Sequence, residues 1–386
     1  MQEFPDLGTR VPEISAAELK SRLDAGERVT VLDTRRPADF EAWQISSPNV
    51  RSVNVPFTAF LDGDDPVEEV PEGVPEGPLV TCCAKGISSL FVAELLAREG
   101  WTVEALADGM EGWARLYEAA ELDVDVDGPT VLQYHRPSSG CLAYMILSEG
   151  EAAVVDPLRA FADRYVEDAR ERGADLVYAV DTHVHADHVS GVREVAASTG
   201  AEPVVPAGAA DRGLAFDARL VDGEDVLEVG GARVEAVRLP GHTSEMTGYR
   251  VGEVLLTGDT LFLSSVARPD LEDGDEGAPR AARTLFDTLE TVFGLDSGTV
   301  VAPGHTSGDE AAAADGTFTR RLGELRGSLS LPDDRESFVD RILADMPPRP
   351  ANFGTIIATN LGRETLTETA AFEAELGPNN CAASAD

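Results

Sequence analysis

The sequence predicts two consecutive α/β domains, the first on a small parallel sheet and the second on mixed sheets covered by helices. Three observations carry this. Strand-like and helix-like segments alternate over about the first hundred residues. Beyond an acidic stretch, ELDVDVDGP (121–129), the texture changes to strands joined by glycine turns. The length of 386 residues suits two domains, and 43% hydrophobic residues can fill two cores.

The elements follow in order. RVTVLDTR (28–35) reads as a buried strand, RPADFEAW as a short helix and SVNVP (52–56) as a strand. The segment 61–78 is acidic and rich in Pro and Gly, hence loop. PLVTCC (78–83) is a strand running into a tight turn. ISSLFVAELLAREG (87–100) carries apolar residues at helical spacing and closes on Gly100. TVEALAD (102–108) is a strand and MEGWARLYEAA (110–120) a helix. Past the expected linker at 121–129, VLQYHR, LAYMIL and EAAVVDP read as a meander, RYVEDARERGA as a helix and LVYAVDT (176–182) as a strand. EPVVPAG, DVLEVGGARVEAVRLPGH and YRVGEVLLTGD are mostly strands, PRAARTLFDTLETVF (279–293) a helix and TVVAPGH (299–305) a strand. The expected domains are 10–120 and 128–386.

Charge is the abnormal feature of the composition. There are 70 Asp+Glu against 31 Lys+Arg, a net charge of -39, and the only lysines are Lys20 and Lys85. Such a surface repels nucleic acid and anionic membranes. It becomes tolerable where the Debye length shrinks to about 3 Å, in roughly 1 M salt. The acids are spread along the chain, which predicts a halophilic protein more than one with an acidic tail. The N-terminus MQEFPDLGTR has no leader pattern, and no apolar run approaches the ~20 residues that span a bilayer. Four cysteines, two adjacent (Cys82, Cys83) and two isolated (Cys141, Cys381), make a poor disulfide framework. A reducing, cytoplasmic setting is expected.

The chain holds six histidines, three of them in DTHVHADH (181–188). His183 and His185, two apart in an extended segment, project to one side. Asp187 and His188 follow where the chain turns toward a helix. His242 in LPGHTSEM, Asp259 in LLTGDTLF and His305 in VAPGHTSG also stand at strand ends. Buried together, such imidazoles and carboxylates are costly unless a cation joins them, so a metal site is expected.

HVHADH, PGHT, GDTLF and a second PGHT, in that order, resemble the metallo-β-lactamase superfamily. The resemblance covers roughly 128–386 and implies an αββα sandwich. THVHADHVSG, ARPDL (267–271) and MPPRPANFGTIIATN (346–360) resemble the glyoxalase II branch and, within it, the persulfide dioxygenases. Glyoxalase II-like enzymes fill two metal positions with all seven side chains and hydrolyse a thioester. Persulfide dioxygenases bind one iron. Carried over, the resemblance implies Fe(II), one per chain, on His183, His242 and Asp259. His185, Asp187, His188 and His305 would support it, or become ligands if two zinc ions bind instead. The motif alone does not choose between these. Arg268, in ARPDL, is a candidate contact for a substrate carboxylate, a surface salt bridge being the plainer reading.

VTCCAKGISS (80–89) puts a cysteine at a strand end in a loop that opens a helix. Amide N–H groups there favour an anion and lower a thiol pKa. With LDTR (32–35), SVNVP and DGMEGWAR (108–115), the loop resembles a rhodanese-like domain over about 10–120. This implies sulfur transfer through a persulfide on Cys83. The family's loop arginine is Ser88 here, and its Gly-His before isoleucine is Trp43-Gln44. Lys85 is the candidate replacement cation; without one, the domain reads as a docking module. Cys82 should face away from the loop. Cys141 reads as a small core residue, approach to the metal pocket being the alternative, and Cys381 as part of a frayed tail.

The two domains together imply a dioxygenase acting on a small-molecule thiol persulfide with O2, giving sulfite and thiol. The alternatives are a dinuclear thioester hydrolase and a non-catalytic sulfur carrier or sensor. A homo-oligomer is left open, and the thiol is not identified.

Overall fold

The structure is a computed structural model that describes residues 7–62, 67–74, 78–124, 128–306, 310–344 and 346–383. It divides after Leu116 into two units, with Arg136–Ser138 counted in the first. The first unit runs β1 (Glu13–Ile14), α1 (Ala16–Asp24), β2 (Val29–Asp33), α2 (Pro37–Ala42), β3 (Val50–Asn54), α3 (Ala59–Asp62), β4 (Leu79–Cys82), α4 (Ile87–Arg98), β5 (Val103–Leu106) and α5 (Gly109–Ala114). Its strands lie in the order β1-β5-β4-β2-β3, all parallel. A parallel sheet needs cover on both faces, and two apolar clusters supply it. One joins Leu19, Leu23, Met110 and Trp113 to Val31 and Val80; the other joins Val92 and Leu96 to Leu32 and Leu79.

The second unit opens with β6 (Glu118–Glu121), β7 (Thr130–Arg136), β8 (Cys141–Ser148), β9 (Glu151–Val155), α6 (Ala162–Glu171), β10 (Asp175–Val180), α7 (Val192–Thr199), β11 (Glu202–Pro206) and β12 (Arg219–Val221). A second sheet follows: β13 (Val226–Val229), β14 (Ala232–Arg238), β15 (Thr247–Val251), β16 (Val254–Gly258), α8 (Gly274–Phe293), β17 (Val300–Pro303) and β18 (Arg320–Arg321). α9 (Leu322–Ser328), α10 (Arg335–Ala344), α11 (Phe353–Asn360) and α12 (Glu368–Ala374) complete the unit. The sheets have seven strands, β12-β11-β10-β9-β8-β7-β6, and six, β13 through β18 in order. Leu142, Tyr144 and Val155 of one meet Leu227, Tyr249 and Leu256 of the other in a shared core. Tyr165 and Val195 cover the outer face of the seven-stranded sheet, and Leu285, Leu289 and Phe338 that of the six-stranded sheet. The unit is the αββα sandwich the motifs implied.

Three expectations change. Residues 110–120 are not one helix: α5 stops at Ala114, and Glu118–Glu121 pairs antiparallel with β7. Ala and Glu favour helix in isolation, but a sheet edge next to them decides otherwise. The second unit therefore begins at Tyr117, ahead of the expected 128. The expected linker, the acidic loop at 61–78 and the N-terminal stretch lie partly outside the described residues. Cys381 is no frayed end; it is fully buried. No described helix is long and apolar enough to cross a membrane.

Candidate metal centre

Seven side chains meet at the carboxyl ends of strands in the second unit. Asp181–His188 follows β10, His242 follows β14, Asp259 follows β16 and His305 follows β17. All seven candidate residues are at most 6% exposed. The loop glycine beside His305 is dictated by space: a Cβ on Gly304 would lie 2.5 Å from Asp259 Oδ1.

Hydrogen bonds fix which ring nitrogen of each histidine carries a lone pair. His242 Nδ1 lies 2.9 Å from the carbonyl of Arg268. A carbonyl only accepts, so Nδ1 holds the proton and Nε2 the lone pair. Thr182 Oγ1 donates its one hydrogen to Asp156 Oδ2 at 3.0 Å and lies 2.9 Å from His183 Nδ1. The hydroxyl must therefore accept from His183 Nδ1, which leaves Nε2 bare. Asp259 divides its oxygens: Oδ1 lies 2.6 Å from His305 Nδ1, while Oδ2 has no partner. His183 Nε2, His242 Nε2 and Asp259 Oδ2 are all buried without hydrogen bonds. Ligand atoms of these three residues lie within 4.8 Å of one another. Three buried, unpaired donor atoms facing one point are costly without a cation and suited to one.

The charges agree. Burial lowers the pKa of His183, and the neighbouring His185 lowers it further, so its ring is neutral and able to ligate. Burial likewise lowers His242. Burial opposes ionisation of Asp259, but His305 outweighs it and holds the carboxylate below its usual range. His305, despite burial, is pushed well above its usual value by Asp259 and Asp187. It bridges them at 2.6 and 2.8 Å.

The other four residues are tied to neighbours. His185 Nε2 lies 3.0 Å from Asp156 Oδ1, and His188 Nδ1 lies 3.1 Å from Asp187 Oδ2. Three of the four still leave an unpaired atom, His185 Nδ1, Asp187 Oδ1 and His188 Nε2, whereas both ring nitrogens of His305 are engaged. Sequence reasoning missed what holds this loop. Asn360 Nδ2 donates to the carbonyls of His185 and His188 at 3.0 and 2.9 Å, and its Oδ1 accepts from Ser190 N at 2.9 Å. The resemblance of TIIATN was the only signal for it. Asp156 at φ 53 was likewise unmarked.

Arg268 does not form the surface salt bridge of the plainer reading, and its guanidinium is taken up by partners within the fold. It is 1% exposed, forms a two-pronged pair with Asp270 at 2.7 and 3.1 Å, and donates to the carbonyls of Pro348 and Asn380. Buried and committed to those partners, its guanidinium is an anchor. Cys141 does reach the centre: its Sγ lies 3.3 Å from Asp187 Oδ2.

In the first unit, Cys83 follows β4 and precedes α4. Ser89 Oγ lies 3.3 Å from its sulfur. Burial would raise the thiol, but the Ser88 and Ser89 hydroxyls and the amides of Ser89 and Lys85 bring its pKa below the usual value. Cys82, on the same strand, is pushed well up by burial. The loop is clamped by α5, with Met110 N donating to Cys83 O at 2.8 Å and Glu111 N to Ala84 O at 3.0 Å. Gly109, at φ 55, permits this approach; a Cβ there would lie 2.1 Å from Cys83 O. The side chain of Lys85, the candidate replacement cation, points toward α5. It is 60% exposed and pairs with Glu111 at 3.0 Å, and what it gives the thiol is its amide.

Comparison with known proteins agrees with this architecture. Residues 136–305 match the metallo-beta-lactamase superfamily and residues 15–116 the rhodanese-like domain. A hydroxyacylglutathione hydrolase of Rhodospirillum rubrum is 33% identical over 40% of this chain and 57% of its own length. The human mitochondrial persulfide dioxygenase ETHE1 is 28% identical over 45% of this chain and 66% of its own length. The chain thus spans little more than half of such relatives. The crystal structure of ETHE1 from Myxococcus xanthus superposes with a TM-score of 0.52 at 26% identity, over 60% of this chain and 98% of that one. The chain joins a rhodanese-like domain to a metallo-beta-lactamase domain, and the second of these bears the candidate metal centre.

Proposed function

We propose that the protein is a persulfide dioxygenase, oxidising a low-molecular-weight thiol persulfide with O2 to sulfite and the free thiol. The observation that carries this reading is the convergence of His183 Nε2, His242 Nε2 and Asp259 Oδ2, all buried and unpaired. Two histidines and one carboxylate on one side are the set that leaves positions open on non-haem Fe(II). Iron there would supply O2 binding and electron transfer. The chain's own residues fix its seat: Arg268 O and Thr182 Oγ1 set the imidazole tautomers, and His305 keeps Asp259 ionised with Oδ2 free. One persulfide, one O2 and one water give one thiol and one sulfurous acid. The S–S bond breaks, the outer sulfur is oxidised by four electrons and O2 takes them up.

The Cys83 thiolate supplies the companion chemistry. It can attack the sulfane sulfur of a donor, breaking that sulfur's bond and expelling the rest of the donor as an anion, and the Cys83 persulfide so formed passes its outer sulfur to a small thiolate as the Cys83 thiolate leaves. Small-molecule thiols and O2 are the expected partners, without nucleic acid or membrane, in a reducing cytoplasm and at high salt. Loss of ellipticity on dilution into low salt is expected; an unchanged spectrum would remove the halophilic part.

Metal analysis after anaerobic purification, paired with an oxygen electrode, tests the reading. About one iron per chain and O2 uptake that depends on added persulfide are expected. Two zinc ions and thioester cleavage without O2 would establish the second reading, a dinuclear hydrolase. What favours that alternative is the unpaired state of His185 Nδ1, Asp187 Oδ1 and His188 Nε2.

A further inference from the structure

The groups that stabilise the Cys83 thiolate are the Ser88 and Ser89 hydroxyls and the amides of Ser89 and Lys85. All of them are dipoles, enough for a single negative charge. The basic residues in the described segments that leave the carboxyl ends of β2–β5 (34–36, 55–62, 83–89 and 107–111) are Arg35, Arg36 and Lys85. Each is matched to a carboxylate. Arg35 pairs with Asp33 through Nε and Nη2 at 3.1 and 2.6 Å and also donates to the carbonyl of Trp43. Arg36 pairs with Asp39 at 2.8 Å, and Lys85 with Glu111 at 3.0 Å. The outer surface of the loop is apolar or acidic. Ala84 and Ile87 are exposed, and so is Asp108, whose amide a Cβ on Gly86 would meet at 2.9 Å. Cys83 itself is buried, so water screens little of the charge brought up to its sulfur.

We propose that Cys83 exchanges sulfur with neutral or singly charged partners, a small-thiol persulfide as donor and a small thiolate as acceptor, and discriminates against dianions, thiosulfate as donor and sulfite as acceptor. This rests on the reading of Cys83 as a sulfur carrier. With a persulfide, R–S–SH and the Cys83 thiolate give the Cys83 persulfide and R–S⁻. One S–S bond forms, one breaks, and a single negative charge passes from one sulfur to another. With thiosulfate, the Cys83 thiolate takes the outer sulfur, the S–S bond of the donor breaks, and sulfite leaves with the electron pair. A thiolate and a dianion then meet at a buried sulfur, and only dipoles face their combined charge. The reverse step, attack of sulfite on the Cys83 persulfide, runs through the same transition state and meets the same repulsion. The selectivity assigns the domain to charging small thiols with sulfur ahead of persulfide oxidation. The sulfite released by that oxidation is left for another catalyst.

Mass spectrometry of the intact full chain reads the step. The protein is held without O2, so that persulfide oxidation does not run. It is mixed with thiosulfate or with the persulfide of 2-mercaptoethanol at equal concentration, pH and salt. Gain of one sulfur atom that is absent in Cys83→Ala is followed in time. Each rate is divided by that of the same reagent with free cysteine, which removes intrinsic reactivity. On that scale the persulfide should exceed thiosulfate by more than about 10-fold. Ser88→Arg puts a cation in the loop. It should speed both charging by thiosulfate and discharge by sulfite by more than about 10-fold, and leave charging by the persulfide within about threefold. A circular dichroism spectrum like that of the parent shows that the variant folds; if it does not, the normalised rates of the parent chain carry the test. Equal normalised rates, or a folded Ser88→Arg chain with unchanged thiosulfate and sulfite rates, overturn the inference while sulfur transfer itself stands. No sulfur gain from either donor overturns it together with the sulfur-carrier reading.

Discussion

Cys83 and the His183–His242–Asp259 triad both stand at the carboxyl ends of strands, but they manage buried charge in opposite ways. Around Cys83 the chain supplies all the compensation: burial pushes the thiol up, and hydroxyls and amides of the 83–89 loop bring it back down. At the triad the chain supplies donors and leaves them unpaired. One site is complete in the polypeptide and the other requires a cation from outside. Each donor at Cys83 adds a share, so losses there should be graded. A ligand triad works as a unit, so losses there should be near total.

The comparison is broken most severely by exchanging the sites' essential atoms. Asp259→Ala should cut metal affinity by more than about 100-fold, measured by metal content after dialysis, and leave cyanide-dependent sulfur transfer intact. Cys83→Ala should do the reverse, abolishing sulfur transfer at full metal content. If either variant removed both activities, the separation of the two chemistries would fail.

Smaller changes sharpen it. Arg268→Met leaves the buried Asp270 paired with Arg349, which is 3.0 Å away. It should cost about 3 kcal/mol in denaturant unfolding. A raised KM at unchanged stability would instead restore Arg268 as a substrate contact. Ser89→Ala removes a donor to the Cys83 thiolate. The folded pKa lies below the ordinary value, and activity rises as pH climbs through it. Loss of the donor raises that pKa, so the acid limb of the sulfur-transfer profile should move up by about one pH unit. Lys85→Ala breaks an exposed pair with Glu111 and keeps the amide; it should change the rate by less than about twofold. A large loss would return Lys85 to the role of loop cation.

Much of the site was legible because its residues are rare types at strand ends. His183, His242 and His305 draw attention in a chain with six histidines, and the glycines before His242 and His305 mark tight approaches. Asn360 was not legible as a clamp, since an asparagine ending a helix reads as a cap in any sequence. Cys381 was misplaced because a small-residue tail looks frayed until its carbonyl is seen to accept from Arg268 N. Tyr117–Glu121 was misassigned because its composition favours helix and its strand partner lies on β7.

By itself the sequence determined the order of strands and helices, the two domains and the residues able to bind a metal or carry sulfur. Those rest on local spacing and residue chemistry, which a chain carries wherever it folds. Only the tertiary structure decided which atoms are left unpaired. Whether His185 turns its Nε2 to Asp156, whether Asp259 gives one oxygen to His305, and whether Arg268 spends its guanidinium on Asp270 depend on neighbours distant in the chain. Burial makes each of those choices exclusive, because a buried donor without water has to take the partner the fold brings to it.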